Sequence, residues 1–200
     1  MTLHQTTNKS SSDFGRQIRG ATRGLWNDSI DFFNFVDTVI GNVYRGYEQA
    51  WREGASSCGI GPEDRSSQEA QVLTREISIA LERVLPFGDF VANHKKVDGF
   101  KLSVSLNRAE LWSNRYLAIV NLARSTSCSD RKFEWQLGRT MEHCNDCATY
   151  AGRVHRGSVW ASVGAIPQSR SLACHGYNCG CRLVPTDGRA SPGRPPRPTG

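Results

Sequence analysis

Five of the seven cysteines in this 200-residue chain fall between Cys144 and Cys181, and no other feature restricts the fold so tightly. The spacing is C-x2-C at Cys144 and Cys147, a 26-residue gap, then C-x4-C-x-C at Cys174, Cys179 and Cys181. His143 and His175 stand beside the two half-sites. Two close sets of soft ligands separated by a loop of this order describe a tetrahedral zinc site. Thiolates a few residues apart grip one ion from a tight turn. Closing two such turns on the ion organises a short segment that buries little core of its own. We therefore expect zinc as the cofactor, a structural role for it, and a module from about Glu142 to Leu183. Four of the five cysteines Cys144, Cys147, Cys174, Cys179 and Cys181 are the expected ligands, with His143 and His175 as secondary candidates.

Other uses of such cysteines fit less well. A disulfide framework belongs to a secretory route, and the odd total leaves one thiol over. A redox pair at Cys144 and Cys147 needs a βαβ setting and leaves the last three cysteines unexplained. The zinc deaminase pattern needs H-x-E, and none of His4, His94, His143, His155 or His175 is followed by that glutamate. Cys58 and Cys128 lie outside the cluster and read as ordinary thiols.

The rest of the chain reads as α+β: a mainly helical N-terminal body, then a small strand-rich zinc-binding module. Residues 1–12 are polar and predicted to be disordered. The helical body is assigned to 13–126, the zinc-stapled module to 127–184, and a disordered Pro/Arg-rich tail to 185–200. Phe32, Val36, Val39, Ile40, Val43, Tyr47 and Trp51 recur at steps of three and four, which predicts a helix over 30–53. A second helix is predicted over 63–85, closed by Pro86, with 86–101 irregular. Leu102, Val104 and Leu106 alternate as in a short strand, and Asn107 with Glu110 resembles a capping box opening a helix to about Arg124. Strands are predicted at Lys132–Leu137, Ser158–Val163 and Arg182–Val184.

The net charge of +6 is confined to the ends. Residues 1–26 and 182–200 each carry four basic side chains against one acidic, whereas 27–181 hold 17 of each. Such ends can meet DNA or another acidic surface with salt-sensitive affinity. No apolar run approaches the roughly 20 residues that span a bilayer, and Met1–Asp13 has no apolar segment of a signal peptide. The expectation is a protein with no membrane contact, kept in a reducing cytoplasm.

Arg108, Arg115 and Asn121, then Lys132-Phe-Glu-Trp135, His143-Cys-x-x-Cys147, Gly152, Pro167 and Cys174-His-Gly-Tyr-Asn-Cys-Gly-Cys-Arg-Leu183 together resemble the Mu-F-like head morphogenesis family of tailed phages. The likeness covers about residues 105–184. The family's closing motif usually reads His-Pro-Asn-Cys, whereas this chain has His175-Gly-Tyr-Asn-Cys179 preceded by Cys174, which raises Cys174 over His175 as a ligand. The resemblance implies a minor head protein that contacts phage portal or capsid proteins, sits in the virion head and passes through the host cytoplasm during assembly. Trp51, Trp112, Phe32 and Phe35 are the aromatic residues expected to serve those contacts.

Two readings from other classes stand beside it. One is a zinc-containing nucleic-acid-binding protein, favoured by the basic ends, although 144–181 hold only Arg153, Arg156 and Arg170 as basic side chains. The other is an enzyme or toxin, since some family members are fused to toxin domains. The sequence has no G-x-S-x-G, P-loop or H-E-x-x-H, and the expectation is that this is no enzyme.

Overall fold

Apolar residues at helical spacing govern the first two thirds of the chain. A computed structural model describes the backbone of residues 3–139, 142–176 and 179–200, and the side chains from Lys9 on. Five helices come first: α1 (Leu3–Trp26), α2 (Phe32–Ala55), α3 (Ser67–Leu81), α4 (Val84–His94) and α5 (Leu102–Ser127). A smaller region follows with β1 (Lys132–Gln136), α6 (Asn145–Tyr150), β2 (Val154–Arg156), α7 (Gly157–Val163) and β3 (Arg182–Pro185). The architecture is α+β, a mainly helical region followed by a small strand-rich one that carries the cysteine clusters.

The predicted stripe of α2 is the buried one. Val39, Val43, Tyr47 and Trp51 are buried, joined by Phe35, while Phe32, Val36 and Ile40 pack at the margin. Asp31 caps the helix, its carboxylate accepting from the Asn34 N–H at 2.7 Å. Phe14 of α1 sits between Tyr47 of α2 and Tyr116 of α5, with ring centroids 6.2 and 5.6 Å apart. Gly54 of α2 meets Val120 and Ala123 of α5, so the C-terminal ends of these two helices pack together. A methyl group at Gly54 would lie 2.5 Å from the Val120 carbonyl oxygen.

Several predicted elements change. The expected helix over 63–85 is two helices with a break at Glu82–Arg83. Ser66 and Glu69 form the capping box that opens α3. Pro86 does not close a helix but occupies the first turn of α4, where a missing N–H leaves no partner unsatisfied. The expected strand at 102–106 is the first turn of α5. Its buried face starts with the small residues Ser105 and Ala109, which a search for large apolar side chains passes over. Glu110 does not cap but pairs with Arg19 of α1 at 2.9 Å.

In the second region, β1 is central in an antiparallel sheet of order β2-β1-β3, with Phe133 opposite His155 and Trp135 opposite Leu183. The strand expected at 158–163 is instead α7: Val159, Ala161 and Val163 alternate, but Trp160 and Val163 are the buried pair and Gly164 ends the helix at φ +76°. Trp135, Tyr150 and Trp160 form the centre, with ring centroids 4.9 to 5.7 Å apart. The Trp160 indole donates to the Phe133 carbonyl at 3.1 Å.

Both ends differ from the disordered segments expected. The α1 backbone is helical from Leu3, anchored by Phe14, Ile18, Ala21 and Leu25 in the core, with Ser11 donating to the Ser113 carbonyl. Residues 186–200 lie along the small region. Ser191 exchanges hydrogen bonds with Val154, the Tyr150 hydroxyl donates to the Pro196 carbonyl, and Thr199 donates to Asp146. Cys58 and Cys128, expected to be ordinary thiols, form a disulfide with Cα atoms 5.7 Å apart. The packing of α2 on α5 brings together their ends, which lie 70 residues apart in sequence. Among the described residues no helix is long and apolar enough to cross a membrane.

Two predictions follow from the packing. In an exposed helix, Gly→Ala adds about 0.5–1 kcal/mol of stability. Gly54→Ala is expected to have the opposite sign and cost about 1–3 kcal/mol by forcing α2 from α5, measured by urea unfolding. His155 is buried edge-on to Trp160, and burial, aided by the nearby Arg153 charge, holds its pKa below the ordinary 6.5. As pH falls below 6.5 the unfolded chain takes up the proton first. The stability contributed by the neutral ring is therefore full above that pH and is lost as pH falls through the lower, folded value. An NMR titration of the folded protein should place the His155 midpoint below 6.5, and His155→Phe should flatten this part of the pH–stability curve.

Candidate metal centre

One short helix and two loop stretches bring the cysteines together. Cys144 is the N-cap of α6 and Cys147 lies in its first turn, so C-x-x-C points both sulfurs to one side of the helix start. Cys174 follows a turn, and Cys179 and Cys181 lead into β3. The sulfurs form two overlapping groups: Cys144, Cys147 and Cys174, and Cys147, Cys179 and Cys181. Within each group all lie within 4.8 Å of one another, and Cys147 belongs to both. The second group is fully buried; Cys144 and Cys174 are half-buried.

The spacing suits a tetrahedral thiolate centre. Zn–S bonds of about 2.3 Å give sulfur–sulfur edges of roughly 3.8 Å. Cys147 Sγ and Cys179 Sγ are 3.7 Å apart. Without a cation, buried thiols this close must share protons. Donation from Cys147 and then Cys179 brings Cys181 down to about 3, while Cys147 is pushed up by the same contacts and by burial. The Gly138 backbone N–H and the Trp135 indole also favour a charged Cys181 sulfur. That indole is buried and finds no acceptor of full hydrogen-bonding geometry. Dipoles directed at a sulfur suit a thiolate that binds a metal.

All five predicted cysteines are thus brought together, five thiols for four positions. Of the secondary candidates, His143 Nδ1 stands 3.9 Å from Cys181 Sγ, outside both sulfur groups. His175 is exposed, its Nδ1 lying 3.1 Å from the Arg170 carbonyl, and belongs to neither group. Residues 140, 141, 177 and 178 of the expected module, including two positions of the closing motif, lie outside the described residues.

Two residues that support the site escaped the sequence reading. Gln168, buried and at φ +61°, donates through Nε2 to the carbonyls of Cys179 and Cys181 at 3.0 and 2.7 Å. Its Oε1 accepts from Asn121 Nδ2 of α5 at 2.8 Å, and Asn121 Oδ1 accepts from the Leu183 N–H at 2.9 Å. Asp146, between the two cysteines of α6, accepts from the Ala173 N–H at 2.7 Å and from Thr199, fixing the turn before Cys174. The acidic residue at a helix start was the one available sign of Asp146. An isolated Gln after Pro167 gives none. Gly176, at φ +74°, must be glycine, because a Cβ there would lie 2.1 Å from the Gln168 carbonyl oxygen.

The chain matches no family model, no curated protein and no solved structure.

The geometry predicts unequal cysteines. Cys147→Ser, which removes the sulfur shared by both groups, should abolish metal retention. Cys144→Ser and Cys174→Ser should each retain more metal, because the other half-buried thiol can take the open position. Elemental analysis and the absorption bands of the cobalt-substituted protein measure both effects.

Proposed function

We propose that this chain is a zinc-braced minor head protein of the Mu-F-like kind, acting through contacts with phage portal or capsid proteins rather than through an active site. One observation carries the reading: of the residues behind the resemblance, which run from Arg108 to Leu183, Arg115 and Asn121 meet the closing cysteine motif at a single seam. Arg115 donates to the carbonyls of Gln168 and His175, both at 3.2 Å. Asn121 holds Gln168 and Leu183. Trp135 packs beneath Cys181, and Gly152 turns the chain at φ +71° between α6 and β2. Arg115 and Asn121 thereby join the segment carrying Cys174, Cys179 and Cys181 to the last long helix of the bundle. Zinc fits the donor set, and its part is to brace: thiolates of Cys144 or Cys174 with Cys147, Cys179 and Cys181 would hold it.

The contact surface differs from the one expected. Trp51, Trp112 and Phe35 are core residues and Phe32 is half-buried. Among the exposed apolar side chains are instead Phe33, 79% exposed at the start of α2, and Leu85, 55% exposed at the start of α4. These helix starts are neighbours, since Gly88 packs against Phe32 and Phe35. An apolar surface of this kind supports protein contacts that persist at high salt. Arg189, Arg194 and Arg197 on the exposed final segment would add salt-sensitive affinity for DNA. The corresponding locations are the virion head, and the host cytoplasm during assembly.

The test is capture of portal and major capsid proteins by the full chain at low and high salt. Retention at high salt is expected, with loss of at least about tenfold in affinity for the double variant Phe33→Glu, Leu85→Glu. Capture that vanishes at high salt, or none at any salt, would refute the reading.

A further inference from the structure

A cavity lined by residues of both regions has no part in the metal centre. It opens between the helical body and the turn before Cys179, and has a volume of about 340 Å³. Four guanidinium groups border it: Arg83 before α4, Arg108 and Arg115 on α5, and Arg170 from the small region. Phe87 and Trp112 supply flat apolar wall, their ring centroids 6.3 Å apart. No carboxylate borders it among the described residues. Glu76 acts electrostatically on the Tyr47 phenol, which lines the cavity.

Arg83 and Arg108 are exposed and Arg115 and Arg170 half-buried, but two of the four are anchored. Arg115 is fixed by two backbone carbonyls across the seam, and Arg108 lies over the Phe90 ring with Cζ 4.2 Å from its centroid. Such anchoring holds two of the charges in place before any ligand arrives. No ion pair with a carboxylate engages Arg83, Arg108 or Arg170 among the described residues. Four like charges around one concavity repel each other, and an anion with several oxygens relieves that repulsion while matching the planar donor forks. A bare phosphate would fill only a fraction of the space. The volume lies within the range of small-molecule sites, roughly 300–1,000 Å³, and the Phe87 and Trp112 rings, although mostly packed in the core, border it.

The geometry points to a binding site for a nucleotide phosphate: an anionic phosphoryl group held by Arg83, Arg108, Arg115 and Arg170, with the attached planar base against Phe87 and Trp112. The phosphate can belong to a free mononucleotide or to the 5′ end of a nucleic-acid strand. Net charge conceals the site, because the segment holding all four arginines, 27–181, is neutral as a whole. The inference does not depend on the proposed role in head assembly.

The experiment is calorimetric titration of the full, metal-loaded chain with adenosine monophosphate, adenosine and inorganic phosphate. Adenosine monophosphate should bind, with adenosine and inorganic phosphate each weaker by roughly tenfold or more. Arg83→Ala with Arg170→Ala should weaken the nucleotide by at least about tenfold. The melting temperature of this variant should be unchanged, since Arg83 is exposed and Arg170 half-exposed. A 5′-phosphorylated oligonucleotide that competes with adenosine monophosphate, when its 5′-hydroxyl counterpart does not, upholds the site and identifies a strand end as its source. Competition by neither upholds it for a free nucleotide. No binding of adenosine monophosphate at millimolar concentration, equal binding of adenosine, equal competition by both oligonucleotides, or an unaffected double variant would overturn the proposal.

Discussion

Two buried amides hold the halves of this protein together. Asn121 of α5 and Gln168 of the small region are 2% and 1% exposed, and every polar atom of their side chains is engaged. A buried amide left without partners costs about 1–3 kcal/mol. The pair therefore tolerates only the arrangement in which the carbonyls of Cys179 and Cys181 face Gln168 and the Leu183 N–H faces Asn121. That constraint places two sulfurs and the start of β3 before any ion is considered. The ion and the helix thus specify the same loop from opposite sides, the one through sulfur and the other through backbone carbonyls. Gln168 keeps an uncommon backbone conformation at φ +61°, which its surroundings must impose.

Legibility in the sequence followed the range of the interaction. The cysteine half-sites, the stripe of α2 and the alternation of β1 and β3 are local patterns, and they appear where spacing places them. The misreadings have physical causes. Leu102, Val104 and Leu106 alternate, yet α5 buries Ser105 and Ala109, small residues that permit close approach of helices and carry no hydrophobic signal. Ser158–Val163 alternates too, but glycines at 157 and 164 bound a single helical stretch. A methyl at Gly157 would press within 2.7 Å of the Cys128 carbonyl oxygen, so the end of α5 decides that packing. The last fifteen residues look unstructured because their attachment runs through backbone groups, Ser191, Pro196 and Thr199 among them, to partners distant in sequence. Gln168 and the Cys58–Cys128 pair were unreadable for the same reason.

Charge illustrates a related point. A segment with equal numbers of acidic and basic side chains has no long-range attraction for polyanions, yet it can still concentrate one sign locally. Here carboxylates of α2 and α5 pair with other arginines, as in Glu110 with Arg19 and Glu48 with Arg65. The arginines at the seam are left facing one another across a hollow. The seam is therefore where the two regions are joined by neutral hydrogen bonds and where four arginines line one cavity.

The disulfide has a topological consequence. Cys58 closes the turn after α2 and Cys128 ends α5, so the covalent bridge turns α3, α4 and α5 into a closed ring of chain. A single backbone break anywhere in residues 59–127 opens that ring without releasing a fragment. Both ends of the cut remain covalently tied to α2 and to the sulfur-bearing region. As long as the bridge persists, damage within the helical loop leaves the mass of the molecule in one piece.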